Sequence, residues 1–453
     1  MKQYIIATIA TTFLFASCKL VNVTDVSPVN QLEDVNAITT VEKAQSTLYG
    51  TYGILNGGTS LAFNYYMPAA AALMGGTMEA VQDGGDYAAN NVRTSNYWLE
   101  SMYAGGYKLI NMSNHIITKT AVLPGNDPRK TRIIGEAKFL RAMSYFYLLR
   151  LFGEFYDTTS AYGLVMHTEP IKDGDPVPRS GVHAAYDQIN KDLDEAILET
   201  SEFSSTFYAS KIAARALKAK VLLYQQRYAE AAAMAQQVTT STQRNLEDTF
   251  KIIFSKKIYN TKEAIFQTPY DASTNINNKA YAFNTWFKPS ALYRTLMAGD
   301  KRDTMAIKVS GTRIRNGKFM AGAIDGAPSN ADTEYFLRLG EIYLIQAEAI
   351  VRSGGSLDDA RAALNKIRKR ALMPDITIND AAGLLVAIRE EKLRELGAES
   401  GEEWFDMVRY ERKGEFDIKT MKPKFMGKQR YILPIPLKSI QAAGKVVAQN
   451  QGY

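Results

Sequence analysis

Nine side chains suited to gripping a polar, ring-shaped molecule fall within one short stretch of the 453-residue chain: Tyr65, Tyr66, Asp83, Tyr87, Asn90, Arg93, Asn96, Tyr97 and Trp98. Two further rings, Trp286 and Phe287, stand side by side much later in the sequence. Flat aromatic faces stack on the apolar faces of sugar rings, while Asp, Asn and Arg groups hydrogen-bond the hydroxyls around the ring edge. Peptides are bound by the same groups. Any one ring equally well anchors its own loop, so the cluster carries the expectation. The candidate ligand contacts are Tyr65, Tyr66, Asp83, Tyr87, Arg93, Asn96, Trp98, Trp286 and Phe287.

Catalytic constellations are hard to find. The three histidines, His115, His167 and His183, stand in unrelated contexts, and the sequence holds no metal-ligand pair at helical spacing, no Gly-rich phosphate loop and no nucleophile elbow. Adjacent acids occur at Asp358/Asp359, Glu390/Glu391 and Glu402/Glu403. A glycosidase needs two carboxylates flanking one bond, but neighbours on a helix point apart, and these are interleaved with Arg and Lys. They are expected to be ion-paired and solvated. No catalytic residue, metal site or cofactor is predicted; the alternative is an exported hydrolase whose carboxylates come from distant loops.

Helical periodicity supplies the elements that must position these groups. From Arg132 to Phe152 the apolar residues Ile133, Ile134, Ala137, Leu140, Met143, Phe146, Leu149 and Leu151 wrap more than one face, which predicts a central, buried helix. Ala213–Tyr224, a turn at Gln225-Gln226-Arg227 and Tyr228–Ala233 have the small-and-large alternation of a tetratricopeptide hairpin. A second hairpin runs from Leu337 to Val351, turns at Ser353-Gly354-Gly355-Ser356, and returns through Ile367, with Ser356 placed as its cap. Weaker pairs are expected at Thr40–Leu55 with Met102–Leu123 and at Ala381–Tyr410. The fold class is therefore mostly α: tetratricopeptide-like helical hairpins with long irregular insertions at Asn56–Glu100, Glu154–Ser180 and Asn260–Asp332. The first and third insertions, about 56–100 and 260–332, carry the candidate contacts.

The extreme N-terminus has a grammar of its own. Lys2 precedes an uncharged run, Tyr4 to Ser17, too short to span a bilayer but sized for the core of an export signal. Phe15-Ala16-Ser17-Cys18 resembles the bacterial lipobox, in which cleavage leaves a cysteine whose sulfur is lipidated. Cys18 is the only cysteine in the chain, so it has no disulfide partner. Residues 1–17 are read as a lipoprotein signal peptide and 18–453 as one domain, anchored by lipid at Cys18. Hydrophobic residues make up 46% of the chain, yet no later run reaches the ~18 apolar residues of a membrane helix. The formal charge of +7 arises mostly from interleaved signs, the exception being Lys419–Arg430 with five cations and no acid, a solvated loop or a contact for an anionic surface. An exported chain of this kind predicts no nucleic-acid partner.

Several blocks resemble the SusD/RagB family of nutrient-binding outer-membrane lipoproteins. Gly135-Glu136-Ala137-Lys138-Phe139-Leu140-Arg141-Ala142 with Leu149-Arg150-Leu151-Phe152-Gly153 is similar to the family's central helix. Pro178-Arg179-Ser180, Asp192-Leu193, Arg338-Leu339-Gly340-Glu341, Ala347-Glu348-Ala349, Glu395-Leu396, Trp404-Phe405-Asp406, Leu433-Pro434-Ile435-Pro436 and Asn450-Gln451-Gly452-Tyr453 follow in the family's order. Gln451 departs from the usual Pro, and Glu403 stands where an Arg is frequent. The resemblance implies a SusD-like α-superhelical fold and structural roles for these signature residues. It also implies a non-catalytic, surface-facing lipoprotein of a Gram-negative outer membrane. Such a protein captures oligosaccharide, or peptide in the RagB-like case, for a SusC-like TonB-dependent transporter. A periplasmic helical scaffold is the reading without a transporter.

Overall fold

The stretch with apolar residues on more than one face becomes a 24-residue helix, Arg129–Phe152, buried without interruption from Gly135 to Phe152. The computed structural model describes residues 38–56, 61–171, 176–255, 261–268, 279–319, 332–444 and 446–453. Cys18 and the signal segment 1–17 lie outside the described residues.

Helix α1 (Val41–Leu55) starts at Thr40, whose hydroxyl accepts from the amide of Lys43 at 3.2 Å. A π-helical turn, Ala62–Tyr66, runs directly into α2 (Met67–Gly75), and strand β1 (Met78–Ala80), α3 (Gly85–Ala88), α4 (Tyr97–Ala121) and α5 (Arg129–Phe152) follow. Next come α6 (Val182–Glu199), α7 (Lys211–Tyr224), α8 (Tyr228–Thr239), α9 (Phe250–Ser255), β2 (Ala264–Gln267), α10 (Lys279–Thr285), β3 (Phe287–Pro289), α11 (Ala291–Met297) and α12 (Asp303–Ala306). The chain ends with β4 (Ile307–Ser310), β5 (Arg313–Asn316), β6 (Tyr335–Arg338), α13 (Leu339–Arg352), α14 (Leu357–Arg370), α15 (Ala381–Leu396), α16 (Glu402–Arg412) and α17 (Leu437–Ala442).

The helices stack in chain order: α4 on α5, α5 on α6, α6 on α7, α7 on α8, α8 on α13 and α13 on α14 and α15. Small residues set the closest approaches. A Cβ at Gly106 of α4 would stand 2.6 Å from Leu148 of α5, and Ser144 of α5 donates to the Gly106 carbonyl at 2.8 Å. Both hairpins form as the periodicity predicts, with Gln226 taking a left-handed φ of 64° in the first turn and the Ser356 hydroxyl accepting from Asp359 N in the second. The first insertion is less irregular than expected, because Ala62–Gly75 is a continuous helical run whose last nine residues are all buried.

Charged residues knit the layers together. Arg141 of α5 grips Asp192 of α6 at 2.8 and 2.6 Å and donates a further bond to Asn114 of α4 at 2.8 Å. Arg150, 1% exposed, lies against the rings of Phe146, Tyr147 and Phe405 and donates to Glu402 at 2.7 Å. Lys220 of α7 bridges Glu402 and Glu341, each at 2.7 Å. Burial opposes ionisation of Glu402, but Arg150 and Lys220 outweigh it and hold the carboxyl down at about 2. The adjacent acids thus split: Asp358 is solvated, whereas Glu391, Glu402 and Glu403 are buried. Their partners come from helices and loops distant in sequence, which spacing on one helix does not reveal.

The closing segment is clamped to the central helix. Arg179 donates to the carbonyls of Phe152, Gly163 and Ala448 and to the Asn450 side chain, and Asn450 in turn donates to Phe152 O and Leu433 O. Within the basic stretch 419–430, Lys422 is not free. Its ammonium donates to Leu73 O at 3.0 Å and Ala88 O at 2.6 Å, which fastens this segment beneath the first insertion.

Candidate functional site

Three short backbone pairings bring the first and third insertions together. Strands β1 and β3 align antiparallel with Met78 opposite Pro289 and Ala80 opposite Phe287, the Val81 amide donates to Trp286 O at 2.8 Å, and the Ser290 amide donates to Thr77 O at 2.9 Å, with the Ser290 hydroxyl adding a bond to Gly76 O at 2.7 Å. The candidate residues on the two insertions, far apart in the chain, therefore share one aromatic assembly.

Tyr65 is its hub. Its ring lies 4.8 Å from Tyr66, 5.6 Å from Trp98, 6.1 Å from Trp286 and 6.2 Å from both Phe283 and Phe287. Trp98 stacks on Tyr87 at 5.1 Å with 21° between planes. These contacts decide which rings can touch a ligand. Tyr65, Tyr87, Trp98 and Phe287 are each at most 5% exposed and form a pedestal, a correction to the expectation that all of them face a bound molecule. The cause is hydrophobic: rings of this size gain ~1.5–3 kcal/mol from burial, and the pairing of the insertions lets them meet. Gly84, with φ of 81°, makes room for them. A Cβ there would stand 2.5 Å from Leu73 Cδ1 and 3.2 Å from both Phe287 and Trp98.

The rim above the pedestal holds Tyr66, Asp83 and Trp286, all partly exposed, together with Tyr97 at 56% exposure and Tyr281 at 46%. Tyr66 meets Tyr97 edge-on at 6.0 Å, and Tyr281 meets Trp286 edge-on at 6.2 Å. The Tyr97 hydroxyl donates to Asp83 Oδ2 at 2.5 Å, while Asp83 Oδ1 accepts from Gly84 N at 2.7 Å. Partial burial and that bond to Asp83 push the Tyr97 hydroxyl up to about 12, so it stays protonated and fixed as a donor at neutral pH.

Arg93 and Asn96 take other parts. Arg93 is exposed and pairs with Asp86 at 3.3 Å. Asn96 caps α4, accepting from Trp98 N at 3.0 Å and from the Tyr87 hydroxyl at 3.1 Å. Asn90, in a left-handed conformation, is buried and donates to Met74 O at 3.3 Å. Tyr281 was not singled out by sequence reasoning; its short distance from Trp286 in the chain is the signal that was available. A rim of three or more rings beside a fixed carboxylate suits stacking against saccharide faces with hydroxyl recognition at the edge. Among the described residues no group of three or more His, Cys, Asp or Glu side chains converges as metal ligands, and no described helix is long and apolar enough to cross a membrane.

Comparison with known proteins agrees with this architecture. Residues 25–223 match the family model described as starch-binding associating with outer membrane, and residues 234–453 match the SusD family model. The chain belongs to the SusD family. A SusD-like protein of Bacteroides ovatus is 24% identical over 370 residues, covering 68% of this chain and 65% of that protein's own length. A SusD superfamily structure from Bacteroides thetaiotaomicron superposes with a TM-score of 0.78 at 23% identity, covering 91% of this chain and 99% of the other. A laminarin-binding SusD-like protein superposes with a TM-score of 0.75 at 22% identity, with coverage of 91% and 99%. At such identities the likeness shows the fold and does not name the ligand.

Proposed function

We propose that this SusD-family protein is a non-catalytic, cell-surface receptor that binds oligosaccharide on the Tyr66, Tyr97, Tyr281 and Trp286 rim and delivers it to a SusC-like TonB-dependent transporter. The observation that carries the reading is the joining of two separate insertions into one pedestal that leaves these rings and Asp83 at the surface. The rings meet at angles, so the rim follows a curved or twisted glycan chain better than a flat one. Asp83, already committed to Tyr97 and Gly84 on one side, offers its remaining lone pairs to sugar hydroxyls.

Isothermal titration against a glycan panel tests the proposal, and the panel begins with laminarin because a structural neighbour binds it. Tyr97→Ala and Trp286→Ala are each expected to weaken binding by roughly 5- to 30-fold, the loss of about 1–2 kcal/mol of ring contact. Binding to no glycan, or wild-type affinity in both variants, would sink it; capture of peptides alone would point to the RagB-like function.

The anchor belongs to the same proposal. Cys18 carries the lipid that holds the receptor at the outer membrane, where tethering raises its effective concentration beside the transporter and lets weak sites suffice. Cys18→Ser is expected to move the protein from the membrane fraction to the soluble fraction, and protease added to intact cells is expected to degrade the wild-type protein. Full protection in intact cells would place the anchor in the inner leaflet and contradict surface delivery.

A further inference from the structure

The charge on the aromatic rim is of one sign. Among Tyr66, Asp83, Tyr97, Tyr281 and Trp286 only Asp83 carries a formal charge, and its oxygens accept from neutral donors, the Tyr97 hydroxyl at 2.5 Å and Gly84 N at 2.7 Å. Although the whole chain has a formal charge of +7, the first insertion, Asn56–Glu100, holds four acids, Glu79, Asp83, Asp86 and Glu100, against one cation, Arg93. The parts of the two insertions outside the described residues, 57–60, 269–278 and 320–331, add Asp271 and Asp325 to the sequence and no Lys or Arg.

The cations around these loops answer other groups. Arg93 pairs with Asp86 at 3.3 Å, Lys288 with Glu79 at 2.9 Å across β1 and β3, and Lys438 with Glu100 at 2.8 Å, while Lys422 is committed to the carbonyls of Leu73 and Ala88. Exposed pairs rearrange easily, but rearrangement supplies no new charge: an Arg93 that turned to a bound anion would uncover Asp86 in exchange. Rim chemistry acts in the same direction. A carboxylate only accepts hydrogen bonds, so Asp83 can receive a sugar hydroxyl but has nothing to share with a second carboxylate, and the Tyr97 hydroxyl is already given to it. Aromatic faces carry the negative part of the ring quadrupole and disfavour an anion laid over them. The field of Asp83 reaches the rings beside it: burial pushes the hydroxyls of Tyr65 and Tyr66 up, and Asp83 adds to both shifts.

We infer that the rim selects uncharged glycans and rejects anionic ones, with Asp83 as the residue that sets the discrimination. The inference rests on the oligosaccharide reading proposed above and narrows its substrate class: the sugar rings that stack on Tyr66, Tyr97, Tyr281 and Trp286 present hydroxyls to Asp83 and carry no carboxylate or sulfate there.

The test is a set of three probes that share a backbone and differ in charge: a laminarin oligosaccharide, the same oligosaccharide with its primary alcohols oxidised to carboxylates, and the methyl ester of that acid. A chelator is present throughout, so that no divalent cation bridges two carboxylates. Titration calorimetry on the full chain is expected to give an affinity for the acid at least about tenfold below that for the parent, with the ester close to the parent. The deficit should shrink as salt is raised, because screening weakens repulsion and leaves ring stacking in place. Asp83→Asn keeps the shape, with an oxygen for Gly84 N and an amide for the Tyr97 hydroxyl, and is expected to bring the acid within about threefold of the parent. An acid bound as tightly as its parent, a deficit shared by the ester, or a deficit that neither Asp83→Asn nor salt reduces overturns the inference and leaves a glycan receptor in place. If laminarin does not bind, the set is built from a neutral glycan of the panel that does; binding of acidic glycans alone overturns the inference, and binding of no glycan overturns the receptor reading together with it.

Discussion

Replacing Glu395 by Gln is expected to cost about 3–5 kcal/mol of stability, read as a lower urea midpoint at pH 7 with an unchanged slope. The carboxyl is the hub of the largest buried ion network in the described residues. It accepts from Arg338 at 2.5 Å, from Arg370 at 2.5 Å and from Arg302 at 3.0 Å, and all four side chains are buried. A glutamine keeps the shape but replaces one of the two accepting oxygens, Oε1 facing Arg338 and Arg370 or Oε2 facing Arg302, with an N–H₂ group that cannot accept, and it removes the charge that balances all three guanidinium ions. Burial pushes against ionisation of Glu395, yet Arg370, Arg338 and Arg302 outweigh it and hold the carboxyl well below its ordinary 4.5. The sign follows from that direction. A depressed carboxyl contributes stability that is fully present above the unfolded value of 4.5 and is lost only as pH falls through the lower folded value. The gap between wild type and Glu395→Gln should therefore be constant through neutral pH and narrow only in strong acid; equal midpoints at pH 7 would show that the network does not hold the fold.

This network also shows where reading the chain reaches its limit. The helices were legible because their information is local: Gly135–Phe152 carries its apolar surplus in consecutive turns, and Ser356 precedes its own helix. The ionic partners are not local. Glu391 meets Arg302, 89 positions away, and Glu402 meets Arg150, 252 positions away, so acids next to basic residues in the sequence pass for a solvated helix face. The site divides in the same manner. Its residue types were legible as an aromatic and polar cluster, but Tyr65/Tyr66 and Tyr97/Trp98 are consecutive pairs of which one member is buried and the other reaches the rim. Composition cannot choose between them; only the pairing of Ala80 with Phe287 does, through strands of three residues too short to leave a periodic signal.

Glu403, the residue that departs from the family's frequent Arg, sits where scaffold and binding loops join, and it makes stability depend on pH. Its Oε1 accepts from the Thr77 hydroxyl and, at 3.4 Å, from Ala398 N, whereas Oε2 has no partner among the described residues. Thr77 leads directly into β1, and Ala398, at a left-handed φ of 56°, donates to Thr77 at 3.1 Å. Burial pushes the Glu403 carboxyl up to about 7, only partly offset by these bonds and by Lys318. For a carboxyl raised in this way the folded state prefers the proton. Stability is then full below the unfolded value of 4.5 and falls as pH rises toward about 7, by about 3 kcal/mol in all. Lys318 and Lys422, pushed down to about 8 by burial, titrate above this window. His167, lowered from 6.5 by burial, titrates within or below it but is common to both proteins, so the difference between them isolates Glu403. Glu403→Gln keeps the shape and removes the charge. Its urea midpoint is expected to match wild type near pH 4.5 and to exceed it progressively up to pH 7, and parallel curves across that range would refute the assignment. The direction is opposite to that expected for Glu395→Gln, because one buried carboxylate is surrounded by guanidinium ions and the other by a hydroxyl and an amide.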